Sequence, residues 1–442
     1  MKKSRIANIF ILISFLIFLY TSYRSLIVHE GKLFNFYAPY YALSIIIFFI
    51  GVLFFYINQK IQINISISII SIIFSMYLIE TALVIPNNSK SNFFEKKTGK
   101  IYDKRSRYEV YVDSLKDDSL TALSVPPDYF LEDRDISTFP LSGVSNVNTL
   151  DCNENGYFSY FKSDRYGFNN ENDQWDKEII DYLIIGDSFS TASCVFYENG
   201  LGGNLSNLTK NGVISLGYPG KGPLTELASL KEYFPKKKVN KVLWVYYEGN
   251  DLLDLNSELN NQILLNYLSD ENFSQNLINQ QTELDLLYRE KISQVFDKES
   301  IINKKKKFKK ISQFLKLFNL RYMLALSLKG KTDLNPDLKS FKKIMKRAKE
   351  ITKSNNSELY FVYLPRKDSY VGKKRFHSYF YEEVLDLIED LNIPIIDLYE
   401  DFFNNLEDPK SVIPLRERGH FNELGYRLVS NLIYKKIYSF EN

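Results

Sequence analysis

Three long apolar runs crowd into the first 85 residues, and no other feature restricts the fold so strongly. They cover Ile6 to about Tyr23, Phe36–Ile57 and Ile61–Ile85. Each approaches or exceeds the ~20 residues that carry a helix across ~30 Å of hydrocarbon. The first follows the basic start Met1–Arg5, yet no small-x-small cleavage pattern comes after it, so it reads as a span rather than a removed signal. The third contains Ile61-Gln-Ile-Asn-Ile-Ser-Ile-Ser-Ile, which alternates like a strand. A lone strand leaves its N–H and C=O groups unpaired in lipid, so a helix is expected there too. Lys2, Lys3 and Arg5 hold the N-terminus in the cytoplasm, and Lys60, in the second turn, falls on the same side. Three crossings then put everything after Pro86 outside the cytoplasm, in the periplasm or beyond the cell. Glu80 falls near the outer interface, as an interfacial carboxylate or as a buried functional one.

Residues 87–107 are polar and Lys-rich and read as a linker. Residues 108–180 read as an irregular, partly β lead-in. From Asp181 to the C-terminus, short apolar runs alternate with helical stretches. Tyr182–Ile185, Val213–Leu216, Val242–Tyr246, Leu359–Leu364 and Pro394–Asp397 are the expected strands. This pattern implies an α/β domain, a parallel sheet with helices on both faces, whose strand-end loops build the site. A helical insertion interrupts it at about 255–336. Within the insertion, Lys304–Lys310 is a basic run, and Phe308, Ile311, Leu315 and Phe318 recur at helical spacing. Two readings fit: a helix touching anionic lipid or acidic glycan, and a solvated face over a core-facing stripe.

The 442 residues carry a net charge of only +3, which gives no case for nucleic-acid binding. Two cysteines, Cys152 and Cys194, exclude a disulfide-stapled mini-scaffold and a Cys-rich zinc module. No Asp/Glu/His cluster has metal-ligand spacing, and neither a metal nor a cofactor is implied. The three histidines, His29, His377 and His420, make a short list of candidate bases. His377 sits in a basic, surface-like stretch and is the lesser candidate.

Four loops carry the candidate chemistry. Gly186-Asp187-Ser188 follows the first strand and presents a serine at a helix start, as a nucleophile or as a helix cap. Gly217-Tyr-Pro-Gly220-Lys-Gly222 follows the second, either a ligand-approaching turn or an ordinary Gly-Pro turn. It is no phosphate loop, because Gly222 and not Ser or Thr follows Lys221. Glu248-Gly-Asn250-Asp251 follows the third, where an Asn amide can donate to an oxyanion or cap a helix. Glu417-Arg-Gly-His420 comes before the last helix. A carboxylate three residues before a histidine can hold the imidazole from behind, though a surface salt-bridged turn has the same sequence.

In order and placement, Ser188, Gly217, Asn250 and His420 resemble the four blocks of the SGNH, or GDSL, hydrolase superfamily. The resemblance covers Asp181 to the C-terminus apart from the insertion. The stretch from Cys152-Asn-Glu-Asn-Gly-Tyr to Asp164-Arg-Tyr-Gly-Phe-Asn is similar to a lead-in of membrane-anchored bacterial members. Two departures stand out: Glu417 replaces the usual Asp, flanked by Arg416 and Arg418, and no residue separates Gly249 from Asn250. The resemblance implies a flavodoxin-like sheet and a serine esterase or O-acyltransferase acting on carbohydrate, above all acetyl, esters. Ser188 is then the nucleophile, with His420 as base and Glu417 as its partner. Ser188, Gly217 and Asn250 form the oxyanion hole. The lipid bilayer and an acyl-donating membrane protein are the implied partners. An inactive member kept for polysaccharide binding or assembly is the rival reading. An extracytoplasmic location allows a Cys152–Cys194 disulfide, with two free buried thiols as the alternative.

Overall fold

The computed structural model describes residues 4–31, 34–84, 87–133, 136–304, 306–328, 336–371, 380–416 and 419–441. The chain forms two compact units: Met1–Pro86 with Lys310–Leu328, and Asn87–Lys309 with Lys329–Asn442.

The first unit contains α1 (Arg5–Ser22), prolonged by a π-helical stretch Tyr23–Val28, α2 (Phe34–Leu53) and α3 (Gln59–Val84). All three are long and apolar enough to cross a membrane. Their surfaces fit lipid rather than water, with Phe15, Ile46 and Phe74 all more than half exposed. Gly51 lets α1 approach α2 closely, since a Cβ there would lie 2.8 Å from Ile11 Cγ1. Gln62 locks the turn into α3 by donating to the carbonyls of Phe54 and Ile57 and accepting from Ser4 Oγ. Residues 310–328, expected to stay with the α/β domain, pack in this unit instead, against α3.

The second unit opens with a helix, α4 (Asn87–Thr98), inside the stretch expected as a linker. The lead-in builds a small sheet from β1 (Ala122–Leu123), β2 (Asn148–Leu150) and β3 (Tyr160–Lys162), with β1 parallel and β3 antiparallel to β2. The main sheet comprises β4 (Ile179–Gly186), β5 (Gly212–Ser215), β6 (Lys238–Tyr247), β7 (Glu358–Leu364) and β8 (Ile395–Asp397). All five coincide with the expected runs. The sheet is parallel, in the order β5-β4-β6-β7-β8. This is the flavodoxin-like order: the chain winds first one way from β4 and then the other, leaving a crevice at the strand ends where the direction reverses. Leu183, Ile184 and Ile185 are fully buried, as a sheet covered on both faces requires.

The lead-in is no separate body. Phe130, Phe139 and Phe168 are fully buried in the same core as the sheet. Asn170 brackets β5, donating to Ser215 O and accepting from Ser215 N at 2.9 and 2.8 Å. Its neighbour Asn169 donates to Thr191 O at 2.9 Å, at the end of the short helix that Ser188 begins.

Candidate active site

β4 delivers its last residue, Gly186, at φ +154, where a Cβ would strike Ser190 Oγ at 2.2 Å. That turn swings Ser188 to the first position of a four-residue helix, Ser188–Thr191. Asp187 caps this helix, accepting from Phe189 N at 2.8 Å. The Ser188 N–H, at the first turn, has no intrahelical acceptor. β6 delivers Asn250 to the other side of the crevice. A cleft of about 440 Å³ opens there, lined by Ser188, His420, Asn250, Tyr247, Arg366 and Lys367 among others.

His420 Nε2 lies 2.8 Å from Ser188 Oγ. Behind the ring, Nδ1 lies 3.0 Å from Glu154 Oε2, and the His420 backbone N–H donates to the same oxygen at 2.7 Å. A backbone nitrogen only donates, so an acceptor must occupy that spot. The same acceptor fixes the Nδ1–H tautomer and leaves the Nε2 lone pair facing the serine. Gly419, at φ +117, is what lets Glu154 come so close: a Cβ there would sit 2.2 Å from Glu154 Oε2. Burial alone lowers the His420 pKa. The Glu154 hydrogen bond and the negative charges of Glu154, Asp187 and Asp151 outweigh it, so the group ends above its ordinary value.

The carboxylate behind His420 is thus Glu154, 266 residues away in sequence. Glu417, expected in that place from its spacing, lies outside the described residues, as does His377. Neighbouring Arg416 is paired with Asp408 at 2.6 Å. Spacing to the histidine gave no hint of Glu154. The signal that could have found it is the cysteine pair. Cys152 and Cys194 are joined by a disulfide, with Cα atoms 4.9 Å apart. That bond fastens a residue two before Glu154 to one six after Ser188. Asp151 Oδ2 accepts from Cys194 N at 2.7 Å, and Asn155 Nδ2 donates to Cys194 O at 3.1 Å. The other side of the loop is held by α4 and the segment after it: Asn153 Nδ2 donates to Asp103 O, and Gly156 leaves no room for a Cβ beside the Phe94 ring.

The other expected oxyanion donors are placed less simply. Gly217 is buried, and its N–H donates to Ser215 Oγ at 3.2 Å, so the structure gives that group another acceptor. A side chain is excluded there for a packing reason: a Cβ would lie 2.4 Å from Ser190 Cβ, behind the nucleophile turn. Asn250 does line the cleft. Its amide donates to Asp254 Oδ2 at 2.7 Å and makes a long contact with Asp187 Oδ2 at 3.5 Å, while its own buried Oδ1 has no hydrogen-bond partner among the described residues. Desolvation raises Asp254 to about 7, and raises buried Asp187 as well.

Two groups of potential metal-ligand atoms fall within 4.8 Å among the described residues: Asp151, Cys152 and Cys194, and Glu154, Cys194 and His420. Both use cysteine sulfurs that the disulfide already binds, so neither offers a thiolate.

No protein-family model matches the chain, and no curated protein matches it. Several solved structures are similar to it. A putative lipolytic protein of the G-D-S-L family from Desulfitobacterium hafniense DCB-2 is 14% identical, covering 58% of this chain and 98% of that one, with a TM-score of 0.32. A lipase/acylhydrolase from Enterococcus faecalis is 15% identical, with 59% and 95% covered and a TM-score of 0.33. An acetyl xylan esterase is 14% identical, with 58% and 99% covered and a TM-score of 0.32. The sheet is parallel and of flavodoxin-like order, its strand-end loops carry Ser188 and Asn250 to one cleft with His420, and among the described residues three helices of membrane-crossing length precede it.

Proposed function

We propose that the protein is a membrane-anchored serine esterase or acyltransferase working through an acyl-enzyme. The observation that carries this reading is the continuous chain Ser188 Oγ–His420 Nε2 at 2.8 Å and His420 Nδ1–Glu154 Oε2 at 3.0 Å, open to a cleft. His420 takes the Ser188 proton as Oγ attacks an ester carbonyl. Glu154 stabilises the imidazolium that forms. In this reading the Ser188 N–H and the Asn250 amide receive the oxyanion, and Asn250 gives up its 3.5 Å contact with Asp187 to do so. His420 returns the proton to the leaving alcohol, and water or a sugar hydroxyl then takes the acyl group. Carbohydrate acetyl esters suit the polar cleft, and an acyl-donating membrane partner would feed transfer. The disulfide supports a catalytic domain outside the cytoplasm, where such bonds persist.

The test is labelling of the full-length protein by a fluorophosphonate, with acetate release from a model acetyl ester measured in parallel. Wild type should be labelled at Ser188 and release acetate, while Ser188→Ala and His420→Ala do neither. An unlabelled, inactive wild type would instead favour a binding or assembly protein that keeps the fold.

A further inference from the structure

Helices Lys306–Leu315 and Phe318–Leu328 belong to the insertion, yet residues 310–328 pack with the apolar spans. The joint is a specific one. Glu80, on α3 and fully buried, accepts from the backbone N–H groups of Asn319 and Leu320 at 3.1 and 2.8 Å, and from Asn319 Nδ2 at 2.8 Å. These are the second and third residues of the helix Phe318–Leu328, whose first N–H groups have no intrahelical acceptor. Leu317, just before it at φ +50, has no side-chain acceptor to offer. A carboxylate from another helix thus does the work of an N-cap and meets the positive end of the helix dipole. One turn earlier on α3, Tyr77 donates to Leu315 O at 2.9 Å, and its ring meets Phe314 at 5.6 Å. The Arg321 guanidinium lies 5.7 Å from the centre of the Tyr40 ring on α2.

The outward side of this segment is apolar. Ile311, Leu315, Phe318 and Tyr322 are between 48% and 62% exposed, with Lys316 exposed beside them. Within each helix the pair is spaced i, i+4, so each presents one apolar stripe. The spans of the same unit likewise expose apolar side chains, Leu78 and Ile79 of α3 among them. Glu80 stands four residues before the end of α3, about 6 Å at the helical rise. The 26 residues of α3 span about 39 Å, more than ~30 Å of hydrocarbon, so a bilayer centred on α3 would have its boundary close to Glu80. A buried carboxylate there is costly unless it is fully partnered, and the helix start supplies the partners.

We propose that residues 310–328 are a second membrane-contacting element, an interfacial segment sent back from the catalytic domain and latched to α3 by Glu80. Its occupant is the bilayer boundary at the Val84 end of α3, which takes the stripe of Leu315, Phe318 and Tyr322. The segment gives the catalytic chain a lipid contact in addition to the three spans.

The experiment uses the full-length protein in phosphatidylcholine nanodiscs. The two native cysteines are bonded to each other, so one introduced cysteine carries one polarity-sensitive fluorophore. Labels at Leu315→Cys and Tyr322→Cys should emit at short wavelength and be quenched by shallow nitroxide lipids. A label at Asn404→Cys, on an exposed position of the α/β domain, should not. Water-like, unquenched emission at both stripe positions would overturn the proposal. Adding Glu80→Ala, which removes every acceptor, should weaken quenching at Tyr322→Cys at least twofold while leaving a label at Phe74→Cys, on α3, unchanged. Unaltered quenching at Tyr322→Cys would overturn the latch.

Discussion

Replacing Glu154 separates two things that a carboxylate does for a histidine. Glu154 Oε2 receives both the His420 backbone N–H at 2.7 Å and Nδ1 at 3.0 Å. In Glu154→Gln the backbone N–H accepts no amide hydrogen, so it selects the amide oxygen for the same spot. Nδ1–H keeps an acceptor, Nε2 keeps facing Ser188, and only the charge is lost. A hydrogen bond to a charged group contributes ~1.5–3 kcal/mol and a neutral one ~0.5–1.5, a difference of about 1–2 kcal/mol. That is roughly 5–30-fold in kcat. The side chains of His420 and Glu154 are 22% and 27% exposed, so water screening favours the lower end. Glu154→Ala removes orientation and charge together, and roughly 10³–10⁴-fold is expected. The assay is kcat and kcat/KM on a chromogenic acetyl ester from pH 5 to 9. The base must be neutral, and the His420 pKa is raised. Wild-type kcat/KM therefore falls as pH drops through a midpoint above the ordinary histidine value of ~6.5. Glu154→Gln removes a negative charge, so its acidic limb moves to lower pH even as the plateau drops. A Gln variant as damaged as Ala refutes the pinning by the backbone N–H. Wild-type activity in Glu154→Ala, with loss in Glu417→Gln, refutes the assignment of the carboxylate itself.

Gly419→Ala should lower kcat by roughly 10²-fold with KM little changed, because the new Cβ falls 2.2 Å from Glu154 Oε2 and displaces it; kinetics on the same ester decide it, and a wild-type kcat sinks the reasoning. The double variant Cys152→Ser, Cys194→Ser opens a cross-link of sequence separation 42, for which chain entropy gives up to ~4 kcal/mol of stability. Denaturant unfolding should show that loss, and kcat should fall at temperatures where the fold persists, since the loop bearing Glu154 loses one of its ties.

The five strands and three spans were legible because both signals are local. An apolar run bounded by Gly or Asp is a buried strand, and twenty apolar residues in a row have one stable form in lipid. The segment 310–328 was legible only in part. Its helical stripe of Ile311, Leu315 and Phe318 can be read from spacing, but what the stripe faces cannot. A core-facing stripe and a lipid-facing stripe have the same period, and spacing does not show that the segment packs on α3, where Asn319 and Leu320 donate to Glu80. The helix at Asn87–Thr98 escaped because its polar, Lys-rich sequence has no periodicity to show.

The site divides in the same way. Ser188, Asn250 and His420 were legible because strand-end loops of one sheet converge by topology, whatever their separation in sequence. The carboxylate was not, because it comes from no strand end. Spacing pointed to Glu417, since a residue three before a histidine is close in any turn. The structure puts Glu154 there instead, on a loop outside the sheet, held by the disulfide to Cys194, by Asp103 and by the wall of Phe94. Each restraint is weak evidence alone, yet together they fix an acid that the motif blocks do not contain. The blocks begin after Asp181, so they delimit too small a unit. The lead-in, expected to be irregular and partly β with no function assigned to it, supplies the carboxylate bonded to His420 Nδ1 that raises its pKa, and α4 and the segment after it help to hold that carboxylate in place.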